Sequence, residues 1–204
     1  MNDTQNTEFQ EFPKMARLSR EVVITEKIDG TNAQLLITEH GDIFVGSRTR
    51  WITPQDDNFG FARWVEGNKS EVLQLGAGRH FGEWWGAGIQ RAYGLTKGDK
   101  RLSLFNTTRW VNYGEEPQII SSPNAKEVKY QEVLPEIIKT VPELYRGMFD
   151  TETIDGALIN LKLHGSWAMP SFMNPEGIIV FHTAAGIGFK RTIEHDDIPK
   201  SKIK

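Results

Sequence analysis

Two short apolar runs, Val22-Val23-Ile24 and Leu35-Leu36-Ile37, flank the polar stretch Thr25-Glu26-Lys27-Ile28-Asp29-Gly30-Thr31-Asn32. The runs are aliphatic, largely β-branched and bounded by turn residues, so both read as strands. Lys27 therefore sits at a strand end or in a tight loop between strands, where a scaffold can aim its amine into a cleft. On these residues alone a hairpin turn is the simpler reading, with Asp29-Gly30 supplying the positive φ that such turns need. Short motifs also match by chance. The remainder of the chain decides between the two.

Strand signals dominate the chain beyond Ile37. Ile43-Phe44-Val45 comes after a turn at His40-Gly41, and Ser47 to Ile52 is a basic and aromatic run at a strand exit. Asp56-Asp57-Asn58 can cap a short helix bearing Phe59, Phe61, Ala62, Trp64 and Val65, closed by Gly67. A second helix is expected over Ser70 to Leu75, ended by Gly76 and Gly78. In Arg79 to Arg91, Glu83 stands between Gly82 and a tryptophan pair, which suggests an acid on a strand beside a close backbone approach. Leu102 to Phe105 reads as a strand, and residues 114 to 129 as a polar loop broken by Pro117 and Pro123. Leu134 to Val141 is apolar but proline-punctuated, and its type stays open. The clearest helix runs from Thr151 to His164, with Asp150 or Thr151 as cap, Ile154, Leu158 and Leu161 on one face, and Gly165 past its end. Residues 176–181 and 187–193 form a final hairpin turning over Thr183 to Gly186.

Strands with a few interspersed helices, and no regular alternation, indicate an α+β fold. The 204 residues suit a single domain. Residues 1 to 20 form a polar N-terminal segment anchored by Phe9, Phe12 and Pro13, and residues 194 to 204 a charged, solvated tail. A formal net charge of −3 leaves any nucleic-acid surface to be local. With no cysteine, thiolate metal sites, disulfides and cysteine nucleophiles are excluded. No apolar run approaches a membrane span, and the N-terminus lacks signal-peptide character, so a cytoplasmic location is expected. The glycine pairs at 76/78, 86/88 and 186/188 lack the third fingerprint glycine, and the scattered histidines include no His-Glu-x-x-His.

What remains is one loop lysine with isolated acids and bases at later strand ends. A lysine nucleophile must be neutral to attack, and an attacked phosphate needs cations and a metal held by carboxylates. Lys27, Arg48, Glu83, Glu176 and Lys190 meet these needs if they converge.

In order along the chain, these pieces resemble the covalent nucleotidyltransferase superfamily of ATP-dependent ligases and mRNA-capping enzymes. They look most like its RNA ligases. Glu26 to Asn32 is similar to the nucleophile motif, and its Thr-Asn ending favours RNA ligase over DNA ligase or capping enzyme. Ser47-Arg48-Thr49 resembles the next motif, and Phe81 to Gly86 the third, whose acid holds the ribose. Leu104-Phe105-Asn106 resembles the strand that stacks on adenine. Glu176 to Val180 is similar to the metal-serving motif, and Phe189 to Thr192 to the last one, although the family's usual second lysine is replaced there by Thr192.

The resemblance implies a nucleotidyltransferase (ATP-grasp-like) domain of two antiparallel sheets with flanking helices and ATP bound between them. It implies that Lys27 takes AMP from ATP, passes it to a 5′-phosphate, and that a 3′-hydroxyl then seals the break. Lys190 is the cation that favours the reactive amine and steadies the transfer. Glu176 binds Mg²⁺ or Mn²⁺, Glu83 the ribose and Phe105 the base, with Glu26 and Asp29 also in the nucleotide-binding set. Arg48 contacts the nucleotide or 5′-phosphate, and Asn32 positions strand ends. RNA ends or a nicked duplex are the expected partners, for RNA repair. About a dozen residues follow Thr192, too few for an OB or RNA-ligase C-terminal domain, so a partner protein is one source of the missing grip. A DNA ligase, an adenylyltransferase with another acceptor and a non-catalytic nucleotide-binding module are the alternatives.

Overall fold

The computed structural model describes residue 9, residues 11–120 and 129–198, and residue 202. Strand β1 (Glu21–Lys27) is followed by β2 (Thr31–Ile37), β3 (Ile43–Gly46) and β4 (Trp51–Ile52), then by helices α1 (Phe61–Gly67) and α2 (Lys69–Leu73). Next come β5 (Gly78–Gly86), β6 (Lys100–Leu104), β7 (Trp110–Val111), β8 (Ile119–Ile120), β9 (Lys129–Tyr130), β10 (Glu132–Val133), β11 (Ile138–Thr140) and β12 (Glu143–Met148). Helix α3 (Thr151–His164) and strands β13 (Gly177–His182) and β14 (Ile187–Thr192) complete the order.

Two sheets carry the architecture. One has four strands in the order β12-β1-β13-β14, and the other six in the order β11-β6-β5-β2-β3-β4. Side chains alternate between strand faces, so each sheet has one face for a helix and one for its partner sheet. On the smaller sheet Val22, Ile24, Ile178 and Val180 pack against Ile154 and Leu161 of α3. On the larger sheet Ala33, Leu35, Ile37, Trp84, Leu102 and Leu104 pack against Phe61, Ala62 and Val65 of α1 and Val72 of α2. Ile28, Trp85, Tyr93, Leu95 and Val141 form a third cluster.

Helix α3 has the expected bounds. The Asp150 carboxylate accepts the Thr153 N–H at 2.8 Å, and Gly165 leaves the helix with φ 82. The first helix starts later than its acidic cap, at Phe61. Asp57 still reaches it, its carboxylate accepting from the N–H groups of Ala62 at 2.8 Å and Arg63 at 3.1 Å. Leu134–Val141 resolves into β11, paired with β6.

Three expectations are corrected. β1 and β2 are not a hairpin, because they belong to different sheets and residues 28–30 are the crossover between them. Gly30 is needed there for space: a Cβ would lie 2.5 Å from the Trp84 carbonyl oxygen and 2.8 Å from the Trp85 Cβ. The sheets are not wholly antiparallel, since β11 runs parallel to β6 at one edge. Phe9 and Phe12 are not anchors, being 92% and 79% exposed, and Pro13 is exposed with them. Residues 1–8, 10, 199–201, 203 and 204 of the expected terminal segments, and 121–128 of the expected loop, lie outside the described residues. Among the described residues no helix is long and apolar enough to cross a membrane.

Candidate active site

A cavity of about 740 Å³ opens between the two sheets. Its smaller-sheet wall includes one strand face, Val23, Thr25 and Lys27 from β1 with Ile179 and Phe181 from β13, and is bordered also by Glu26 and Ile28. Its larger-sheet wall includes Asn32 from β2, Arg79, Phe81 and Glu83 from β5, and Phe105 just beyond β6, with residues 106–110 at its margin. Register explains these sets. Thr25 pairs with Ile179 and Val23 with Phe181, while Asn32 pairs with Glu83, so each group shares a face.

Lys27 ends β1 opposite Gly177, and its side chain is 23% exposed. Its amine donates to the Glu176 carboxylate at 2.5 Å, and that carboxylate is 4% exposed. Glu83 accepts the Gly30 N–H at 3.0 Å. Burial pushes the Glu83 carboxyl up to about 7; the charges of Glu176 and Asp29 add to this, while Lys27 and the Gly30 N–H oppose it. Phe105 is not core: it is 43% exposed and borders the cavity.

Lys190 is exposed and pairs with Ile179, which pairs with Thr25, so it lies on the Lys27 face two strands away. Arg191 points the other way and forms an ion pair with Asp155 on α3. It therefore does not stand in for the family's second lysine on the cavity face.

Three other residues of the expected nucleotide-binding set are held by protein groups or lie at the surface. Glu26 has a carboxylate turned to the opposite face from Lys27 by strand alternation. There it accepts from the Ser166 hydroxyl at 2.6 Å and the N–H groups of Trp167 at 2.7 Å and Ala168 at 2.9 Å. Burial raises its pKa against these three donors. Its carboxylate clasps the turn after α3, while the residue itself still borders the cavity. Asp29 is buried, and its carboxylate takes a hydrogen bond from Arg91 at 3.1 Å. Arg48 is exposed on the turn between β3 and β4 and is not one of the residues that line the cavity.

Several contributors carry no local sequence signal. Arg91 bonds Asp29, two residues after Lys27, and also the backbone and side-chain oxygens of Asn174, two residues before Glu176. The Tyr93 hydroxyl accepts the Asp29 N–H at 2.8 Å. Both come from a loop in which Gln90, Ala92 and Tyr93 hold φ of 45, 54 and 53. Such backbone costs about 1–3 kcal/mol per residue and persists where surrounding contacts fix it. Phe81 was findable, because it lies two residues before Glu83 on the same strand face.

Among the described residues no group of three or more His, Cys, Asp or Glu side chains gathers as a metal site. Glu176 offers one buried carboxylate beside the amine. That fits Mg²⁺ or Mn²⁺ held mainly by substrate phosphates and water, which one or two carboxylates suffice to anchor.

A profile of the family described as RNA ligase matches residues 20–191. The chain belongs to the RNA ligase family. A comparison with curated protein sequences gave no match. Solved structures similar to this RNA ligase family member include a Naegleria gruberi RNA ligase mutant with ATP and Mn. It has a TM-score of 0.55 and 16% identity, with 87% of this chain and 51% of that one covered. A mutant of the same ligase with AMP and Mn has a TM-score of 0.54 and 16% identity, covering 86% and 50%. An apo mutant gives 0.54 and 16%, covering 85% and 50%. At such identities the likeness carries the fold: a mixed α+β arrangement, mostly sheet. This RNA ligase family chain spans about half the length of those structures.

Proposed function

We propose that the chain is an ATP-dependent RNA ligase that works through a Lys27–AMP intermediate and joins a 5′-phosphate to a 3′-hydroxyl. The observation that carries this reading is the Lys27 amine, half-buried at a cavity wall and 2.5 Å from Glu176. In the first step the Lys27 nitrogen attacks the α-phosphorus of ATP. An N–P bond forms as the bond to the pyrophosphate oxygen breaks, and the amine gives up a proton, for which Glu176 is the nearest acceptor. AMP then passes from Lys27 to the RNA 5′-phosphate, and the 3′-hydroxyl displaces it.

The other residues have roles that their positions support. Phe105 offers an exposed ring to adenine across the cleft from Ile179. Glu83 is near its titration midpoint at neutral pH, so it can donate to or accept from ribose hydroxyls. Asn32, its register partner, faces the same space for a strand end. Lys190 brings a positive charge to the Lys27 face for the α-phosphate. A divalent cation at Glu176 and the triphosphate would supply charge neutralisation there, as in other phosphoryl transfers. The ATP or AMP with Mn in the Naegleria RNA ligase structures agrees with that pairing.

Incubation with ATP labelled on the α-phosphate and Mg²⁺ tests the proposal. The expected result is an acid-stable protein adduct that is lost in Lys27→Ala; an unlabelled wild-type chain would overturn it. Sealing of nicked duplexes with RNA or DNA at the 3′-hydroxyl side then separates RNA from DNA ligation.

A further inference from the structure

The face of the larger sheet that presents Asn32 and Glu83 to the cavity continues past it toward the β4 edge. Trp51 pairs with Gly46, Gly46 with Gln34, and Gln34 with Phe81, so these positions form one row across four strands. Phe44, Leu36 and Arg79 form the next row on the same face. Trp51 lies over Gly46, where an added Cβ would meet its ring at 3.1 Å. The Phe44 and Trp51 rings are 5.9 Å apart, and the Arg79 guanidinium stands 5.7 Å from the Trp51 ring centre. Phe44, Trp51 and Phe81 remain 48%, 47% and 51% exposed.

Three large aromatics half in water on one face mark a surface that meets something. Its charge says what. Arg79 lines this face, Arg48 is exposed on the turn leading to Trp51, and among the described residues no ion pair engages either. The chain as a whole is acidic, so this cationic character is local. A second copy seated here about a two-fold axis would set the same arginines against each other. A single nucleic-acid strand suits the surface better, since aromatic faces stack bases of any sequence and arginines answer the phosphates. The strip is also continuous with the nucleotide site, because Arg79 and Phe81 line the cavity themselves.

We propose that Phe44, Trp51, Arg79 and Phe81 form a platform on which unpaired bases of the RNA being joined stack, beside the cleft that holds Lys27. The occupant's identity as a ligation substrate rests on the ligase reading above; its chemistry as a single strand rests on the platform.

The test is anisotropy titration of a fluorescent single-stranded RNA carrying a 5′-phosphate, against the full chain at two salt concentrations. Trp51→Ala and Phe44→Ala are each expected to weaken binding about tenfold, the usual scale for one lost stacking partner. Trp51→Phe should restore most of it, which separates stacking from misfolding. Arg79→Gln should reduce the salt slope by about one unit. Wild-type affinity in the Trp51→Ala/Phe44→Ala double variant overturns the platform, as does a wild-type chain that binds no RNA. A dimer in sedimentation that Trp51→Ala dissolves, with RNA affinity unchanged, would assign the strip to a second copy instead. Wild-type adenylylation is scored separately. Its absence, with platform-dependent RNA binding intact, sinks only the ligase reading; its presence, with RNA affinity insensitive to the strip, sinks only the platform.

Discussion

At the scale of single residues, Glu83 and Gly30 show how closely the crossover at residues 28–30 is tied to the larger sheet. The Gly30 N–H reaches the Glu83 carboxylate at 3.0 Å, and only a glycine leaves room for the Trp84 carbonyl oxygen to come so near. Holding Glu83 here costs burial of its charge, which pushes its pKa from 4.5 to about 7. The folded state therefore prefers the neutral carboxyl. That preference stabilises fully below the ordinary carboxylate pKa and is lost as pH rises through about 7. Glu83→Gln keeps an acceptor for Gly30 and removes the titration. Its stability relative to the wild type should improve between pH 5 and pH 8.5, by on the order of 2 kcal/mol, in denaturant titrations run across that range. A flat difference would mean that Glu83 is not held in a charge-averse site.

Among elements, β14 divides its labour by alternation. Lys190 shares the face of Ile179 and Lys27, whereas Arg191 turns to Asp155 of α3. Lys190→Ala should cut the rate of Lys27 adenylylation at least tenfold and leave the melting temperature close to wild type, because the side chain is exposed. Arg191→Ala should do the reverse, with adenylylation near wild type and a stability loss within about 1 kcal/mol, as for an exposed ion pair. Equal effects of the two on adenylylation would contradict the face assignment. Helix α3 was legible because every signal is local: the Asp150 cap, the Ile154, Leu158 and Leu161 spacing, and Gly165 at the end. The loop at 90–93 was not legible, since its strained residues have meaning only through Asp29, 62 positions from Arg91.

For the molecule as a whole, the cavity is the gap between two sheets whose other faces are buried under helices, α3 on the smaller and α1 with α2 on the larger. A nucleotide would bridge Phe105 on one sheet and Lys27 on the other. Binding to the folded state alone then stabilises both sheets together. With Lys27→Ala, which cannot form the adduct, ATP and Mg²⁺ at about 100 times Kd should contribute about 2.7 kcal/mol. In a chain of this size that is a rise in melting temperature of about 5–10 °C. Calorimetry with and without ATP reads this, and no shift would argue against nucleotide binding in the cleft.

The amino-acid sequence determined by itself what depends on near neighbours. Strand alternation, the α3 boundaries and the β13–β14 hairpin follow from spacing and turn chemistry, and the order of candidate acids and bases is read from the resemblance to RNA ligase motifs. Tertiary structure alone decided which sheet each strand joins, and so which way residues 28–30 run. The Lys27–Glu176 contact joins positions 149 apart, a pairing that no local rule specifies. For the same reason Glu26 and Lys27, adjacent in sequence, part company. Alternation turns their side chains to opposite faces, and only tertiary packing shows that the Glu26 carboxylate meets the turn after α3 while the Lys27 amine meets Glu176.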